Sequence, residues 1–256
     1  MIAIQADELP GSMVSSILNR GFWRRKAATS GGLMLEKSCH DMDIFNWMTG
    51  SRPVSLNCYG GRSIFCPNPN LPEECESCPI GEKCRYFIKP ESFSGEDPGE
   101  KALHDFTRQH DKCIYNIDSD NFDHQAVSIQ YANGAVVNFM LSLNCEGQRA
   151  GRTFHAIGLK GQIWGNHESG KVFMHDNQSG STSEFDCSGD GSGHGGGNRI
   201  HALELLRMIE DPEHNPEQNI KAGYLAAAMC FAADRSVQEN RRISFHYESD
   251  DRIVII

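Results

Sequence analysis

The sequence predicts an α+β fold: a large, open, mainly antiparallel β-sheet with helices packed on one face. Three observations carry this. Residues 127–174 hold a run of short segments that alternate apolar and polar, separated by turn residues, as expected of hairpins with one buried face. Residues 31–49 are apolar over most of a helical circumference, with Ser30 placed to cap them and Gly50 to stop them. Residues 217–239 carry Ile220, Tyr224, Ala227 and Phe231 at helical spacing, among alanines that permit close packing.

Taken in order, Met1–Ala6 reads as a strand, and the Gly- and Ser-rich residues 8–30 as a loop with one short helix. The helix at 31–49 carries Leu33, Met34, Leu35, Cys39, Met42, Ile44, Phe45, Trp47 and Met48, so it should be buried nearly all round. Pro53–Tyr59 alternates and ends at Gly60-Gly61, which predicts a strand. A Cys-rich insert, rich also in Pro and Glu, spans about 62–90, and a short helix is expected from Ala102 to His110. Val127, Ile129 and Tyr131 alternate with Ser128 and Gln130, and Asn133-Gly134 is a type I′ hairpin signal before Val137, Phe139, Leu141 and Leu143. Phe154–Ile157, Gln162–Trp164 and Lys171–Met174 continue as strands, with a turn over Gly158–Gly161; the second face of this sheet should be covered as well. Residues 179–198 read as a flexible linker. They lead into a helix from Ile200 to Ile209, whose start could bind an anion or a polar ligand. Ile243-Ser244-Phe245 reads as a final strand, and no internal repeat is found.

The chain has 256 residues, 39% hydrophobic and 23% charged, which fits a globular protein of one large domain or two small ones. Its formal net charge of −10 argues against nucleic acid or an anionic membrane as the main partner, because both demand a basic surface. The patch Arg24-Arg25-Lys26 is too short to reverse that balance. No apolar run approaches the ~20 residues that span a bilayer, and the N-terminus has no basic n-region or apolar h-region. Ten cysteines without an export signal predict a cytoplasmic protein with reduced thiols, some of them binding metal.

Two motifs suggest chemistry. Glu36, His40 and Asp43 interrupt the apolar helix at i, i+4 and i+7, on one stripe. Burying such groups is costly, so the stripe must pair internally, face a cleft or bind something. A carboxylate one turn from a histidine can set its tautomer and suit it to acid–base work; a satisfied ion pair is the plain alternative. The second motif is Cys75-x2-Cys78-x5-Cys84, whose spacing lets two thiolates bind one tetrahedral ion from a tight turn, zinc first of all. Cys66 or a distant residue would be the fourth ligand; a thiol–disulfide pair or idle cysteines are the alternatives.

The segment Gly31-Gly32-Leu33-Met34-Leu35-Glu36-Lys37-Ser38-Cys39-His40-Asp41-Met42-Asp43 resembles the helix that opens the substrate domain of the Gfo/Idh/MocA oxidoreductases (glucose–fructose oxidoreductase, inositol dehydrogenase and relatives). Their pattern is G-G-x-L-x-D-x-G-x-H-x-x-D. Gly31, Gly32, His40 and Asp43 match it; Glu36 stands for Asp and Ser38 for Gly. The resemblance implies NAD(P)-dependent oxidation or reduction at a CH–OH group of a sugar, a cyclitol such as inositol, or a related polyol. His40 would be the acid–base group or substrate clamp, Glu36 its partner, and Asp43 a support of the helix or pocket. Trp23 and Arg24 would approach the substrate. One branch of the family has a D-H-Q stretch, matched by Asp123-His124-Gln125, and a G-H-G-G-G-D stretch, matched from Gly193 to Asn198. His124 and His194 thereby become candidate substrate contacts. The same branch places Cys113 beside Cys75, Cys78 and Cys84, with Cys66 as the rival fourth ligand.

In the family a Rossmann domain precedes this one, holds the NAD or NADP, and contributes a lysine from an E-K-P motif. The one G-x-G-x-x-G, Gly191 to Gly196, lies in the Gly- and Ser-rich stretch with no βαβ unit that could hold a dinucleotide, and Glu36-Lys37 is followed by Ser38. The expectation is therefore a single substrate-binding and oligomerisation domain over 1–256, without its dinucleotide domain and inactive alone, forming a homodimer or homotetramer through the sheet. Two other readings stay open: an NAD-dependent glycosidase of the same family, and a non-enzymatic, zinc-stabilised sugar-binding or oligomerisation module.

Overall fold

The computed structural model describes residues 1–87, 98–99, 112–147, 150–189, 193–216 and 219–256. The helix expected at 102–110 lies outside them. The elements, in chain order, are β1 (Ala3–Leu9), α1 (Ser12–Arg20), α2 (Ala27–Ser30), α3 (Leu33–Thr49), β2 (Pro53–Gly61), β3 (His124–Tyr131) and β4 (Val136–Ser142). They continue with β5 (Gly151–Ile157), β6 (Gly161–Asn166), β7 (Lys171–Asp176), β8 (Thr182–Asp186), α4 (Gly197–Glu210), α5 (Ile220–Glu239), β9 (Ile243–Tyr247) and β10 (Ile253–Ile255). The strands make one open ten-stranded sheet in the order β10-β9-β2-β3-β4-β1-β5-β6-β7-β8. Among the described residues only β1 and β4 run parallel. The α+β architecture read from the sequence is the one observed.

Alternation on β3 and β4 sorts the two faces. Gln125, Val127, Ile129 and Tyr131, with Val137, Phe139 and Leu141, are buried, and the residues between them are exposed. α3 and α5 cover the buried face. Met34, Met42 and Phe45 come from α3, the last meeting Phe139 edge-on at 5.4 Å between ring centroids. Met229, Cys230, Ala232 and Ala233 come from α5 and are fully buried; the small side chains let that helix sit close to α3. Each large side chain buried in this way contributes roughly 1.5–3 kcal/mol.

Several details depart from the sequence reading. α3 is not buried all round: Ile44 and Trp47 are 41% and 64% exposed, because only one side of the helix meets the sheet. Among the described residues nothing covers the second sheet face, with Tyr59, Val136, Met140 and Ile157 exposed on it. Residues 8–30 hold two helices, and the supposed linker holds β8. In the Asn133-Gly134 hairpin only Gly134 has positive φ (86°). Gly134 N–H donates to Tyr131 O and Tyr131 N–H to Ala135 O. This is a three-residue loop with a type I turn and a G1 bulge, not a type I′ turn. Asn133 spends its side chain on Thr49 O and the Ala135 N–H instead.

A charged network joins α3 to the sheet. Arg152 of β5 donates to Asp41 at 2.6 Å and lies 3.0 Å from Glu8 of β1, and Lys37 meets the other oxygen of Glu8 at 2.9 Å. Glu8 and Asp41 are both 3% exposed. The network sits beside the stripe of Glu36 and His40, on the flank of the same helix.

Candidate functional site

The site is built where α3 begins. Gly31 and Gly32 both have positive φ (83° and 89°), which only glycine adopts without strain. They turn the chain from the short α2 into α3. The turn from Gly21 to Arg25 is tied down from outside: Asn121 Nδ2 donates to Arg24 O at 2.6 Å, and Arg25 Nε to Asp118 at 2.7 Å. That anchoring presents Trp23 and Arg24 to α3. The Arg24 guanidinium lies 4.7 Å over the Trp23 ring and 3.1 Å from Glu36 Oε2.

Glu36, His40 and Asp43 fall on one stripe of α3, as their spacing requires, and Trp47 continues it. Glu36 is largely enclosed, and its burial raises the carboxyl pKa while Arg24 pulls it down. Asp43 is raised by burial too, opposed by the charge of His40. His40 is exposed, with Nδ1 3.8 Å from Cys39 Sγ. Glu36 therefore pairs with Arg24 across the turn rather than with the histidine one turn on.

The structure thus brings Trp23, Arg24, Glu36, His40 and Asp43 together. It sets the other two histidines elsewhere. His124 shares the open sheet face with Ala126 and Ser128, since its neighbour Gln125 faces the helices. Its Nδ1 bonds Asp123 at 2.7 Å, and that carboxylate is held by the N–H groups of Ser63, Ile64 and Phe65. His194 is exposed in a left-handed conformation (φ 54°) just ahead of α4, with Nδ1 3.0 Å from Asn198 Oδ1. α4 buries none of its own residues, and Ile200, Leu205, Leu206 and Ile209 are more than half exposed.

The cysteine expectation needs correction. Among the described residues no group of three or more His, Cys, Asp or Glu side chains is placed to hold a metal ion. The zinc centre expected on Cys75, Cys78, Cys84 and Cys113 is not found there. Cys66 is exposed and rests on Arg62 O. The physical reason lies in Arg20, which sequence reading missed. Its guanidinium, 2% exposed, donates to Lys112 O at 2.6 Å, Tyr86 O at 2.8 Å and Cys75 Sγ at 3.5 Å. Burial lowers its pKa, and the sulfurs of Cys75, Cys113 and Cys84 oppose that shift. A fixed cation already stands among the thiols, where it would repel a second one.

Asp234 of α5 was missed as well; its only signal was one acid after an alanine-rich stretch. It accepts from Gln125 Nε2 at 2.8 Å, and its Oδ2 lies 2.3 Å from where a Cβ on Gly32 would stand. Burial pushes its pKa up to about 6. Phe231, one turn earlier, lies 3.4 Å from the equivalent point on Gly31.

Comparison with known proteins places this geometry. The oxidoreductase family's C-terminal alpha/beta domain matches residues 16–245. A Bacillus subtilis (strain 168) protein, YteT, named as an oxidoreductase, is 29% identical over 251 residues, which cover 86% of this chain and 57% of YteT. A levoglucosan dehydrogenase solved with NADH and levoglucosan superposes with a TM-score of 0.64 at 16% identity, over 95% of this chain and 58% of that one. An aldose-aldose oxidoreductase from Caulobacter crescentus, complexed with glycerol, does so at 0.57 and 13% identity, over 95% and 55%. These structural likenesses concern the fold. The chain spans little more than half the length of each of these proteins. With the family's domain matched from before α2 to β9, and its glycine pair, histidine and last aspartate in place on α3, the chain belongs to the Gfo/Idh/MocA oxidoreductase family.

Proposed function

We propose that this domain binds the substrate of an NAD(P)-dependent oxidoreductase acting on a CH–OH group of a sugar, cyclitol or related polyol. One observation carries the reading: a core helix that presents Glu36, His40 and Asp43 on one stripe, with Trp23 and Arg24 brought onto it from a separately anchored turn. Proton-handling groups collected on a rigid element, with shifted carboxyls, are the pattern of an acid–base site. His40 holds the hydroxyl proton of the substrate. Glu36, fixed by Arg24, accepts a hydrogen bond from a neighbouring hydroxyl, and the face of Trp23 covers C–H groups of the ring. Asp43 supports His40 electrostatically.

The described residues contain no dinucleotide cradle, since the single parallel strand pair β1–β4 is not a βαβ unit. A nicotinamide dinucleotide, which supplies hydride chemistry when bound, therefore has its holder outside these residues. The exposed Ile44 and Trp47 of α3 and the apolar residues of α4 suit a covering domain beside the stripe. The ten unpaired thiols suit the cytoplasm.

The test is turnover by the whole natural gene product that contains this sequence, assayed by NAD(P)H formation on inositols, free aldoses and anhydrosugars. Reduction of NAD or NADP by at least one of them is the expected result. A full-length protein that reduces neither on any of these would overturn the reading.

The sheet suggests self-association. Among the described residues nothing covers the open face, where Ile157, Val136 and Met140 stay 41–43% exposed and Tyr59 69%. We read the open face as the seat of a second copy, giving a dimer or tetramer. Light scattering should return twice or four times the subunit mass, and Tyr59→Glu with Met140→Glu should lower it to one; a wild-type monomer at micromolar concentration sinks this point.

A further inference from the structure

α3 lacks a cap of its own. Its N-cap is Gly32, which has no side chain to accept from the first-turn N–H groups, and such a helix start carries unsatisfied donors and a partial positive charge. Asp234 reaches it from another helix. One carboxylate oxygen is held by Gln125 Nε2, and the other occupies the space that any Cβ on Gly32 would need. Gln125 is 1% exposed, and among the described residues its own Oε1 has no hydrogen-bond partner. A buried amide is thus committed to holding this carboxylate in place. One turn on, Glu36 N–H donates to Gly32 O at 3.1 Å, so the contact adjoins the turn that bears the site.

We propose that Asp234 is a positioning residue of the site: its carboxylate supplies the negative charge missing at the α3 N-cap and, through that first turn, sets the placement of Glu36 and His40. The proposal rests on reading Glu36 and His40 as the reactive pair.

The arrangement carries an energetic mark. Among the described residues no lysine or arginine pairs with Asp234. The groups that face it are the Cys58 thiol of β2, the Cys230 thiol of its own helix and Gln125 of β3. Both thiols are pushed upward, chiefly by burial: Cys58 to about 12, and Cys230 well above its ordinary value, with Cys39 and Asp41 of α3 also acting on Cys230. Asp234 itself stands at about 6, above the ~3.9 of an unfolded aspartate. Between those two values the folded chain holds the extra proton. Stability from this group is therefore greatest at low pH, falls as pH rises through 4 to 6, and stays low above 6. Two pKa units correspond to about 100-fold in the folding equilibrium. A carboxylate kept at that expense beside a reactive helix points to function, because selection for stability alone favours a neutral side chain.

The experiment compares wild type, Asp234→Asn and His40→Gln in the full-length protein, following backbone amide shifts, thermal melting and turnover against pH. In wild type and in His40→Gln the Gly32, Leu33 and Met34 amides should titrate near pH 6; in Asp234→Asn they should stay flat. Asp234→Asn should melt several degrees higher at pH 8, lose that gain by pH 4, and turn over its polyol at least tenfold more slowly with KM within threefold. A variant that gains stability but keeps wild-type kcat, or first-turn amides that ignore the substitution, would overturn the proposal. So would a loss of stability at pH 8, which marks a plain structural anchor. If wild type turns over no polyol, the reading of the site fails, and the amide titration still decides whether Asp234 governs the helix start.

Discussion

Full-length protein carrying His40→Gln should lose about 10²–10⁴-fold in kcat for polyol oxidation, the usual worth of a positioned general base. Gln keeps the polarity and nearly the size of the imidazole but takes no proton at neutral pH. The side chain is exposed on α3, with Nδ1 3.8 Å from Cys39 Sγ, so folding should change by less than about 0.5 kcal/mol. KM should move little, because the loss concerns proton transfer. Glu36→Gln should act differently: it unpairs Arg24 and weakens a substrate hydrogen bond, raising KM and lowering kcat together. Steady-state kinetics on the two variants decides this. A His40→Gln protein within threefold of wild-type kcat would remove His40 from the chemistry.

Arg152→Met should cost about 3–5 kcal/mol of unfolding free energy, the range seen when one partner of a buried ion pair is removed. Arg152 is the cation that Asp41 and Glu8 share, and Lys37 can answer only Glu8. Asp41 would then remain buried without a partner. Its pKa is already raised by burial and held back chiefly by the hydrogen bond from Arg152. Without that bond it rises further. The folded state then holds a proton that the unfolded chain releases, so the deficit is smallest at acid pH and grows as pH climbs. Urea unfolding at pH 5 and pH 8 measures this. Adding Asp41→Asn should return much of the loss at pH 8 and little at pH 5. A deficit independent of pH would show that the cost lies in packing rather than in the stranded carboxylate.

Much of the architecture was legible because its causes are local. Val127, Ile129 and Tyr131 alternate whatever lies beside them, and Gly50 ends α3 by backbone rules, whereas Ser30, the expected cap, closes α2 and α3 starts from Gly32. Glu36, His40 and Asp43 share a stripe through the helical repeat alone, so their grouping needed no tertiary information. The hairpin at Asn133-Gly134 was located correctly but given the wrong turn, since its geometry depends on Asn133 bonding Thr49 O, a residue 84 positions away. β8 was hidden in a Gly- and Ser-rich stretch, where strand formation comes from pairing with β7 rather than from propensity.

What the sequence determined by itself was the α+β class, the sheet-building core and the stripe of three titratable groups on one helix. Tertiary structure alone decided which partner each charge would meet. It gave Glu36 to Arg24 instead of His40, turned His124 to the far side of the sheet, put Arg20 among the cysteines, and brought Asp234 against Gly32 from some 200 residues away. Periodicity along one element follows from backbone geometry. Charge pairing between elements depends on how separate helices and strands pack, and no local pattern encodes that.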